Sequence, residues 1–199
     1  MKLGFIVEGH GEVVSVPILA RRLADRYQIA CDLHPPLRVR RPTITKPGEL
    51  ERHVDLLGDK VGHGGKILVL LDADDDLACQ SGPTLLARAQ RARPDRTIGV
   101  ALAVKEYEAW FLAAAVSLRG LRGLPDRLEP PPDPERIRDA KGWLGRQMPA
   151  TYTPPLDQPA YTAKFDLVAA RAAASFDKFV REFARLMGVP SEFPPELAE

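Results

Sequence analysis

The stretch Lys66-Ile-Leu-Val-Leu-Leu-Asp72 decides how this chain folds. Consecutive aliphatic residues between charged ones are typical of a central strand in a parallel sheet, because both faces of such a strand are buried. Two similar runs occur, LGFIV at residues 3–7 and TIGVALAV at residues 97–104. Segments with helical periodicity lie between and after these runs, at residues 12–27, 48–57, 84–93 and 105–117. This alternation predicts a three-layer α/β fold with a mostly parallel sheet.

Prolines refine the prediction for the first half of the chain. Proline lacks an amide hydrogen, so we expect the regular part of the first helix to begin near Pro17. Residues 37–46 (LRVRRPTITK) have the features of an edge strand, because Pro42 would remove a ladder donor and the arginines would keep the edge soluble.

The C-terminal part differs in character from the first 117 residues. Residues 119–134 and 149–159 are rich in proline and are predicted to be loops, with a short helix at 134–145 between them. Residues 162–187 form one predicted amphipathic helix. Its apolar face would comprise Phe165, Val168, Ala172, Phe176, Phe179, Phe183 and Leu186. We therefore expect an α/β core over residues 1–117, and a linker with a helical extension over 118–199 that packs on it.

Composition indicates a soluble globular protein. The 199 residues are 45% hydrophobic and 28% charged, with a formal net charge of +1, so any nucleic-acid surface must be a local patch. Cys31 and Cys79 are too few for a disulfide framework and are expected to be reduced thiols. The N-terminus reaches Glu8 without a signal-peptide core, and the longest apolar run, Ala109–Val116, is too short to span a membrane. These features predict a cytoplasmic protein.

Acidic residues follow three of the predicted strands. Ligand sites in open parallel sheets form beyond the carboxyl ends of the strands, so these acids should converge on one crevice. Converging carboxylates repel one another unless a cation neutralises them, and hard oxygen ligands suit Mg²⁺ or Mn²⁺ better than Zn²⁺. The candidate metal ligands are Glu8, Glu12, Asp72, Asp74, Asp76, Glu106 and Glu108.

Each of these acids also has a plainer interpretation. Glu12 could be a first-turn acid that favours the helix dipole, and Glu106 and Glu108 could be the first turn of a helix. The motif LLDADDD at residues 70–76 also resembles the opening of a haloacid-dehalogenase phosphatase, in which the first aspartate is a nucleophile. That fold usually carries the motif on its first strand, so this alternative ranks second among enzymes.

A family resemblance supports the metal site. The segment Ile6-Val-Glu-Gly-His-Gly-Glu12, followed by a strand that ends in Asp72-x-Asp74, resembles the Toprim pattern of topoisomerases, primases and overcoming-lysogenization-defect nucleases. With KEYEAWFLA, DAKGWL and DQPAYTAKFD further on, nearly the whole chain resembles the Toprim-like family DUF4276, a domain of unknown function.

The resemblance implies roles for individual residues. Glu8, Asp72 and Asp74 would form the catalytic centre, with Glu8 as a metal ligand or general acid/base and the two aspartates as Mg²⁺ ligands. Glu12 would serve a second metal ion, and Glu106 or Glu108 would match a late acidic ligand. A lysine near the scissile phosphate also belongs to the nuclease branch, and Lys105 and Lys164 are the two candidates.

The function expected from these features is metal-dependent hydrolysis of nucleic acid by two metal ions. Local basic residues would contact phosphates, with Arg40, Arg41, Lys105 and Lys164 as the candidates. The resemblance favours a role in genome or phage defence. The expected substrate is DNA before RNA, and an ATPase or a second copy of the chain is a candidate partner. The rival hypothesis is a non-catalytic module that works with an ATPase.

Overall fold

The computed structural model describes residues 2–195 and contains one parallel five-stranded sheet. The strands are β1 (Lys2–Val7), β2 (Asp32–Leu33), β3 (Leu37–Arg38), β4 (Lys66–Asp72) and β5 (Thr97–Ala103). β4 lies between β1 and β5, as its aliphatic sequence predicts. The two-residue strands β2 and β3 pair with the beginning and the end of β1, so they share one edge of the sheet. This arrangement places the carboxyl ends of β1, β4 and β5 side by side.

Nine α-helices occur among residues 2–195. They are α1 (His10–Arg26), α2 (Arg41–Ile44), α3 (Glu49–Val61), α4 (Ala78–Ala92), α5 (Ala109–Ala113), α6 (Ala140–Gln147), α7 (Pro154–Thr162), α8 (Leu167–Ala170) and α9 (Ala174–Met187). Short 3-10 turns lie between α5 and α6. Within the described residues, no helix is long and apolar enough to cross a membrane.

Two apolar clusters on opposite faces of the sheet confirm the three-layer α/β prediction. Successive residues of a strand point to opposite faces, so Leu68 and Leu70 of β4 face one cluster, and Val69 and Leu71 face the other. The first cluster contains residues of α1, α5, α7 and α9, and the second contains residues of α2, α3 and α4. The sheet is therefore covered by helices on both sides.

Aromatic side chains join the last helices to the sheet. Trp110 of α5 is fully buried between Phe176 and Phe179 of α9, with ring centroids 5.1 and 5.4 Å apart. Its indole nitrogen donates a hydrogen bond to Ser175 Oγ at 2.8 Å. Helix α9 packs on β5, and α7 packs on α1. Residues after 117 thus form part of the same core as the strands.

Several predicted boundaries were wrong, and local contacts explain why. Helix α1 begins at His10, because Glu12 caps its first turn, and it continues through Pro17. The predicted edge strand 37–46 ends at Arg38, because Pro42 lies in the first turn of α2, where its missing amide hydrogen is tolerated. Residues 149–159 are not all loop, because Pro154 likewise occupies the first turn of α7.

The predicted helices at 105–117 and 162–187 are both shorter than expected. α5 starts only at Ala109, after a turn in which Lys105 has a positive φ of 63°. The long helix is broken between α8 and α9, because the carboxylate of Glu135 accepts hydrogen bonds from the amides of Ala174 and Ser175 and caps α9 there. The break changes the helix phase, so two residues of the predicted apolar face, Val168 and Ala172, are exposed.

Candidate functional site

The carboxylates predicted to converge do so at the carboxyl edge of the sheet. Glu8 follows β1, Asp72 ends β4, and Glu108 lies in the turn after β5. The pKa of Asp72 is raised well above its ordinary value by burial and by the negative charges of Glu12, Glu108 and Glu8. The geometry shows their proximity, because the ammonium nitrogen of Lys141 lies 3.9 Å from Asp72 and 3.1 Å from Glu108, and Glu12 accepts a hydrogen bond from the Glu8 amide. The structure therefore places four acids from three separate parts of the sequence in one crevice.

The turn between β1 and α1 explains the two glycines of the motif VEGHGE. Glu12 reaches back so that its Oε2 accepts hydrogen bonds from the amides of Glu8, at 3.0 Å, and Gly9, at 2.9 Å. A Cβ at position 9 would lie 2.6 Å from Glu12 Oε1, and one at position 11 would lie 2.0 Å from Gln158 Oε1. Glycine is required at position 9 to make room for the Glu12 carboxylate, and at position 11 for the close approach of α7.

Glu12→Ala is expected to lower the free energy of unfolding by about 0.5–2 kcal/mol, because two amides at the helix start lose their acceptor. Glu12→Gln keeps an oxygen that can accept these bonds and removes a charge that repels Glu8 and Asp72. It should be at least as stable as the wild type. Urea unfolding of the three proteins measures this difference. Equal stability of the two variants would show that the carboxylate does not hold the turn.

Glu8 has a buried carboxylate oxygen without a hydrogen-bond partner. Its Oε2 is inaccessible to solvent and is hydrogen-bonded to none of the residues that the structure describes. Burial raises the pKa of Glu8, and the negative charges of Glu12 and Asp74 raise it further, against the opposing effect of Arg41. A buried acceptor of this kind is costly unless a proton, a water molecule or a cation meets it.

Asp72 is held in place on one side and is open to the crevice on the other. Its Oδ1 accepts a hydrogen bond from the amide of Tyr107 at 2.9 Å, which ties the end of β4 to the turn after β5. Its Oδ2 lies 3.9 Å from the ammonium nitrogen of Lys141. The side chain is 14% exposed.

Glu106 and Glu108 are bound by the same lysine. The Lys141 ammonium nitrogen lies 3.2 Å from Glu106 Oε1 and 3.1 Å from Glu108 Oε2. The contact with Glu108 is an ion pair without the geometry of a hydrogen bond. Burial alone would lower the pKa of Lys141, but the negative charges of Glu108, Asp72 and Glu106 outweigh it and raise the pKa. Lys141 is therefore a charged ammonium within the acidic crevice.

The C-terminal helices hold Glu108 from behind. Glu108 is fully buried, and its Oε1 accepts hydrogen bonds from the Tyr152 hydroxyl at 3.0 Å and from Gln158 Nε2 at 3.3 Å. Gln158 Oε1 accepts in turn from the Ser15 hydroxyl of α1 at 3.4 Å. Burial raises the pKa of Glu108, whereas Lys141 opposes this effect.

The remaining aspartates of the run lie at the mouth of the crevice. Asp74 and Asp76 are exposed, and both pair with the guanidinium of Arg41, which also donates to the backbone carbonyl of Asp72. Asp74 has a positive φ of 50° and is joined by a single antiparallel bridge to Lys105. Positive φ values at non-glycine residues are strained and are frequent near functional sites. Asp76 was predicted as a metal ligand, and in the structure its carboxylate pairs with Arg41 at the mouth of the crevice.

The basic residues predicted to bind phosphates fall into two groups. Arg41 lies at the crevice mouth, and Lys105 lies beside it, 2.8 Å from Asp75. An open depression of about 260 Å³ on this side is lined by Asp74, Asp75, Lys105 and Arg138. Arg40 and Lys164 are exposed, and the crevice contacts described above involve neither of them.

The described residues do not form a complete metal site by themselves. Among residues 2–195, no three His, Cys, Asp or Glu side chains form an arrangement that could hold a metal ion alone. Mg²⁺ is usually bound through one or two carboxylates, with water and substrate phosphates completing its shell. Oε2 of Glu8, which has no hydrogen-bond partner among the described residues, and Oδ2 of Asp72, 3.9 Å from Lys141, are carboxylate oxygens of this type. Glu12, Glu106 and Glu108 are already engaged by protein groups.

Lys141, Tyr152 and Gln158 are site residues that the sequence-based prediction missed. Lys141 lies in DAKGWL and Gln158 in DQPAY, which carry part of the family resemblance, and Tyr152 lies between them in the proline-rich stretch 149–159. None of these segments has charge or hydrophobic patterning that separates it from a surface loop. The relevant signal in the sequence is that these polar motifs occur in the same chain as the acidic residues that follow β5. Only the tertiary structure shows that they meet.

Comparisons with known proteins give one result. No curated protein and no solved structure matches the sequence. A family model described as "Domain of unknown function (DUF4276)" matches residues 7–184, a range that includes Glu8, Asp72, Glu108 and Lys141. Because the model covers most of the chain, from the end of β1 into α9, this protein belongs to the DUF4276 family.

Proposed function

We propose that this protein hydrolyses phosphodiester bonds in nucleic acid, using one Mg²⁺ or Mn²⁺ ion at Glu8 and Asp72 with Asp74 beside them. The observation that carries the proposal is the buried Oε2 of Glu8, which has no partner among the described residues and lies in a crevice of repelling carboxylates. A divalent cation would satisfy that oxygen and offset the repulsion. The resemblance to Toprim nucleases supports the same assignment.

The residues of the crevice have separate tasks in this proposal. Glu8 and Asp72 hold and orient the cation, which would polarise a phosphoryl oxygen when bound. Glu12 holds the turn that carries Glu8, and the Tyr107 amide holds Asp72. Arg41 and Lys105 lie at the mouth, where their positive charges would contact substrate phosphates.

The proposed site holds one metal ion, whereas the sequence analysis predicted a mechanism with two. A second ion would need ligands from Glu12, Glu106 and Glu108, and each of these binds protein groups instead. The substrate is proposed to be DNA before RNA, and the cytoplasm is the proposed compartment. The phosphatase alternative is less well supported, because that fold usually carries the motif on its first strand and here the motif lies at the end of β4.

A non-catalytic role beside an ATPase is the second candidate. It is favoured by Lys141, whose ammonium neutralises part of the acidic cluster from within the chain. In this case the crevice would be a structural or regulatory feature, and the purified chain would cut no nucleic acid.

Incubation of the purified protein with plasmid, single-stranded DNA and RNA distinguishes the two functions. Cleavage of at least one substrate is expected with Mg²⁺ or Mn²⁺ and none with EDTA. Asp72→Asn, purified in the same way, should lose the activity, which controls for contaminating nucleases. Cleavage that persists in the variant would contradict the proposed site. Mn²⁺ binding without cleavage of any substrate would favour the partner role.

A further inference from the structure

The ammonium of Lys141 lies among three carboxylates. Its nitrogen is 3.1 Å from Glu108, 3.2 Å from Glu106 and 3.9 Å from Asp72. These acids come from the ends of β4 and β5, whereas the lysine comes from α6, about thirty-five residues further along the chain. A cation from the C-terminal part thus reaches the crevice at the carboxyl edge of the sheet.

The lysine is held in place by its backbone as well as by its charge. The Lys141 amide donates to Glu106 Oε2 at 3.1 Å, so both ends of the residue bind the same glutamate. Asp139 caps α6 by accepting from the Gly142 amide at 2.8 Å, which fixes the turn that carries the lysine. The Lys141 side chain is 34% exposed, far less than a free surface lysine would be. Its position is therefore set before any ligand binds.

A divalent ion cannot share this position with the lysine. An ion bound to Glu106 and Glu108 would lie at contact distance from the ammonium, and like charges repel strongly in a poorly hydrated site. The Oε1 of Glu108 is also occupied by Tyr152 and Gln158. The Glu106–Glu108 end of the crevice is thus closed to metal while Lys141 is present. At the Glu8 end, the guanidinium of Arg41 pairs with Asp74 and Asp76 and leaves Glu8 Oε2 without a hydrogen-bond partner among the described residues.

We propose that Lys141 is a positioning residue that serves as the built-in second cation of the site, so that the native chain takes one divalent ion at Glu8 and Asp72 and none at Glu106 and Glu108. This inference rests on the proposed function, because it assumes a divalent ion at Glu8 and Asp72. At the Glu106–Glu108 end, the positive charge of Lys141 takes the place of a metal ion and neutralises the two carboxylates.

The test is the number of Mn²⁺ ions bound per chain, measured by equilibrium dialysis with the wild type and Lys141→Met. A phosphorothioate oligonucleotide that resists hydrolysis is present to complete the metal shell, and the Mn²⁺ bound by the oligonucleotide alone is subtracted. The wild type is expected to bind one ion. Lys141→Met removes the ammonium and keeps a side chain of similar length, so it should bind a second ion at Glu106 and Glu108. Its melting temperature should fall without metal and rise with Mn²⁺ by more than that of the wild type. No gain of an ion in Lys141→Met would overturn the inference.

The double variant Glu108→Gln/Lys141→Met is the matched control. Glutamine can still accept from Tyr152 and Gln158 through its oxygen, while one negative charge is removed together with the positive one. This variant should recover metal-free stability relative to Lys141→Met and should not bind the second ion. If Lys141→Met does not fold without metal but the double variant does, the unfolding of Lys141→Met is due to the unbalanced negative charge. Failure of both to fold would mean that Lys141 acts through packing, which contradicts the inference.

The wild-type result separates the inference from the proposed function. Two ions bound to the wild type would overturn the role of Lys141 and leave metal-dependent hydrolysis intact. No ion in the wild type but one in Lys141→Met would support the role of Lys141 as a resident cation and reject a metal at Glu8 and Asp72.

Discussion

Phe176→Ala is expected to lower the free energy of unfolding by about 3–5 kcal/mol, the usual cost of truncating a fully buried phenylalanine. Phe176 has no exposed surface and packs against Trp110, Phe165 and Phe179, with ring centroids 5.1, 5.5 and 6.5 Å away. Truncation would leave a cavity where the C-terminal helices meet α5. Urea unfolding with fluorescence or circular dichroism measures the change.

Val168→Ala is the matched control for this prediction. Val168 belongs to the same apolar pattern in the sequence, but it lies in α8 with 55% of its surface exposed. Its truncation should change stability by no more than about 0.5 kcal/mol, as is usual for surface positions. A large loss for Val168→Ala, or a negligible loss for Phe176→Ala, would contradict the described break between α8 and α9.

Glu8→Gln is expected to reduce nucleic-acid hydrolysis by about a hundredfold or more. A bound metal ion contributes several kcal/mol to transition-state stabilisation, and about 1.4 kcal/mol corresponds to a factor of ten in rate. The fold should not be weakened, because the lost charge is one that burial and the neighbouring acids Glu12 and Asp74 disfavour. Initial rates with Mn²⁺, together with thermal melts in EDTA, measure both effects.

Asp75→Asn is the control that separates the crevice from acidity in general. Asp75 belongs to the same acidic run, but its carboxylate faces Lys105 and Arg138 at the rim and is 68% exposed. Exposed pairs of this kind contribute little to stability. The variant should keep its hydrolytic rate, or exceed it if Lys105 and Arg138 become available to phosphates. Equal losses in Glu8→Gln and Asp75→Asn would mean that net charge, and not the site at Glu8, determines the activity.

The sheet could be predicted from the sequence because each of its main strands is recognisable from its own residues. The aliphatic run of β4 and the similar runs of β1 and β5 each show burial on both faces, and parallel pairing follows from the helices between them. The convergence of Glu8, Asp72 and Glu108 then follows from the rule that parallel strands end at one edge. These predictions needed no contact between distant side chains.

The features that the sequence did not reveal depend on distant partners. The break before α9 is set by Glu135, which lies about forty residues upstream in a proline-rich segment. The neutralisation of Glu106 and Glu108 is due to Lys141, which lies in a helix with no distinctive pattern. In both cases, one residue satisfies a polar group that sequence spacing cannot pair with it.

Glu12 is a different case, because its partners are local. It was predicted as a metal ligand, but its carboxylate accepts hydrogen bonds from the amides of Glu8 and Gly9 and caps the turn between β1 and α1.

The most direct test of the account is Mn²⁺ binding to the wild type, Glu8→Gln and Asp75→Asn, with and without a phosphorothioate oligonucleotide that resists hydrolysis. Carboxylates at Glu8 and Asp72 supply only part of a metal shell, so the oligonucleotide should tighten Mn²⁺ binding by completing it. This tightening is predicted for the wild type and Asp75→Asn, and Glu8→Gln should lose it. If Glu8→Gln binds Mn²⁺ as tightly as the wild type under both conditions, the buried oxygen of Glu8 holds no metal ion and the proposed site is wrong.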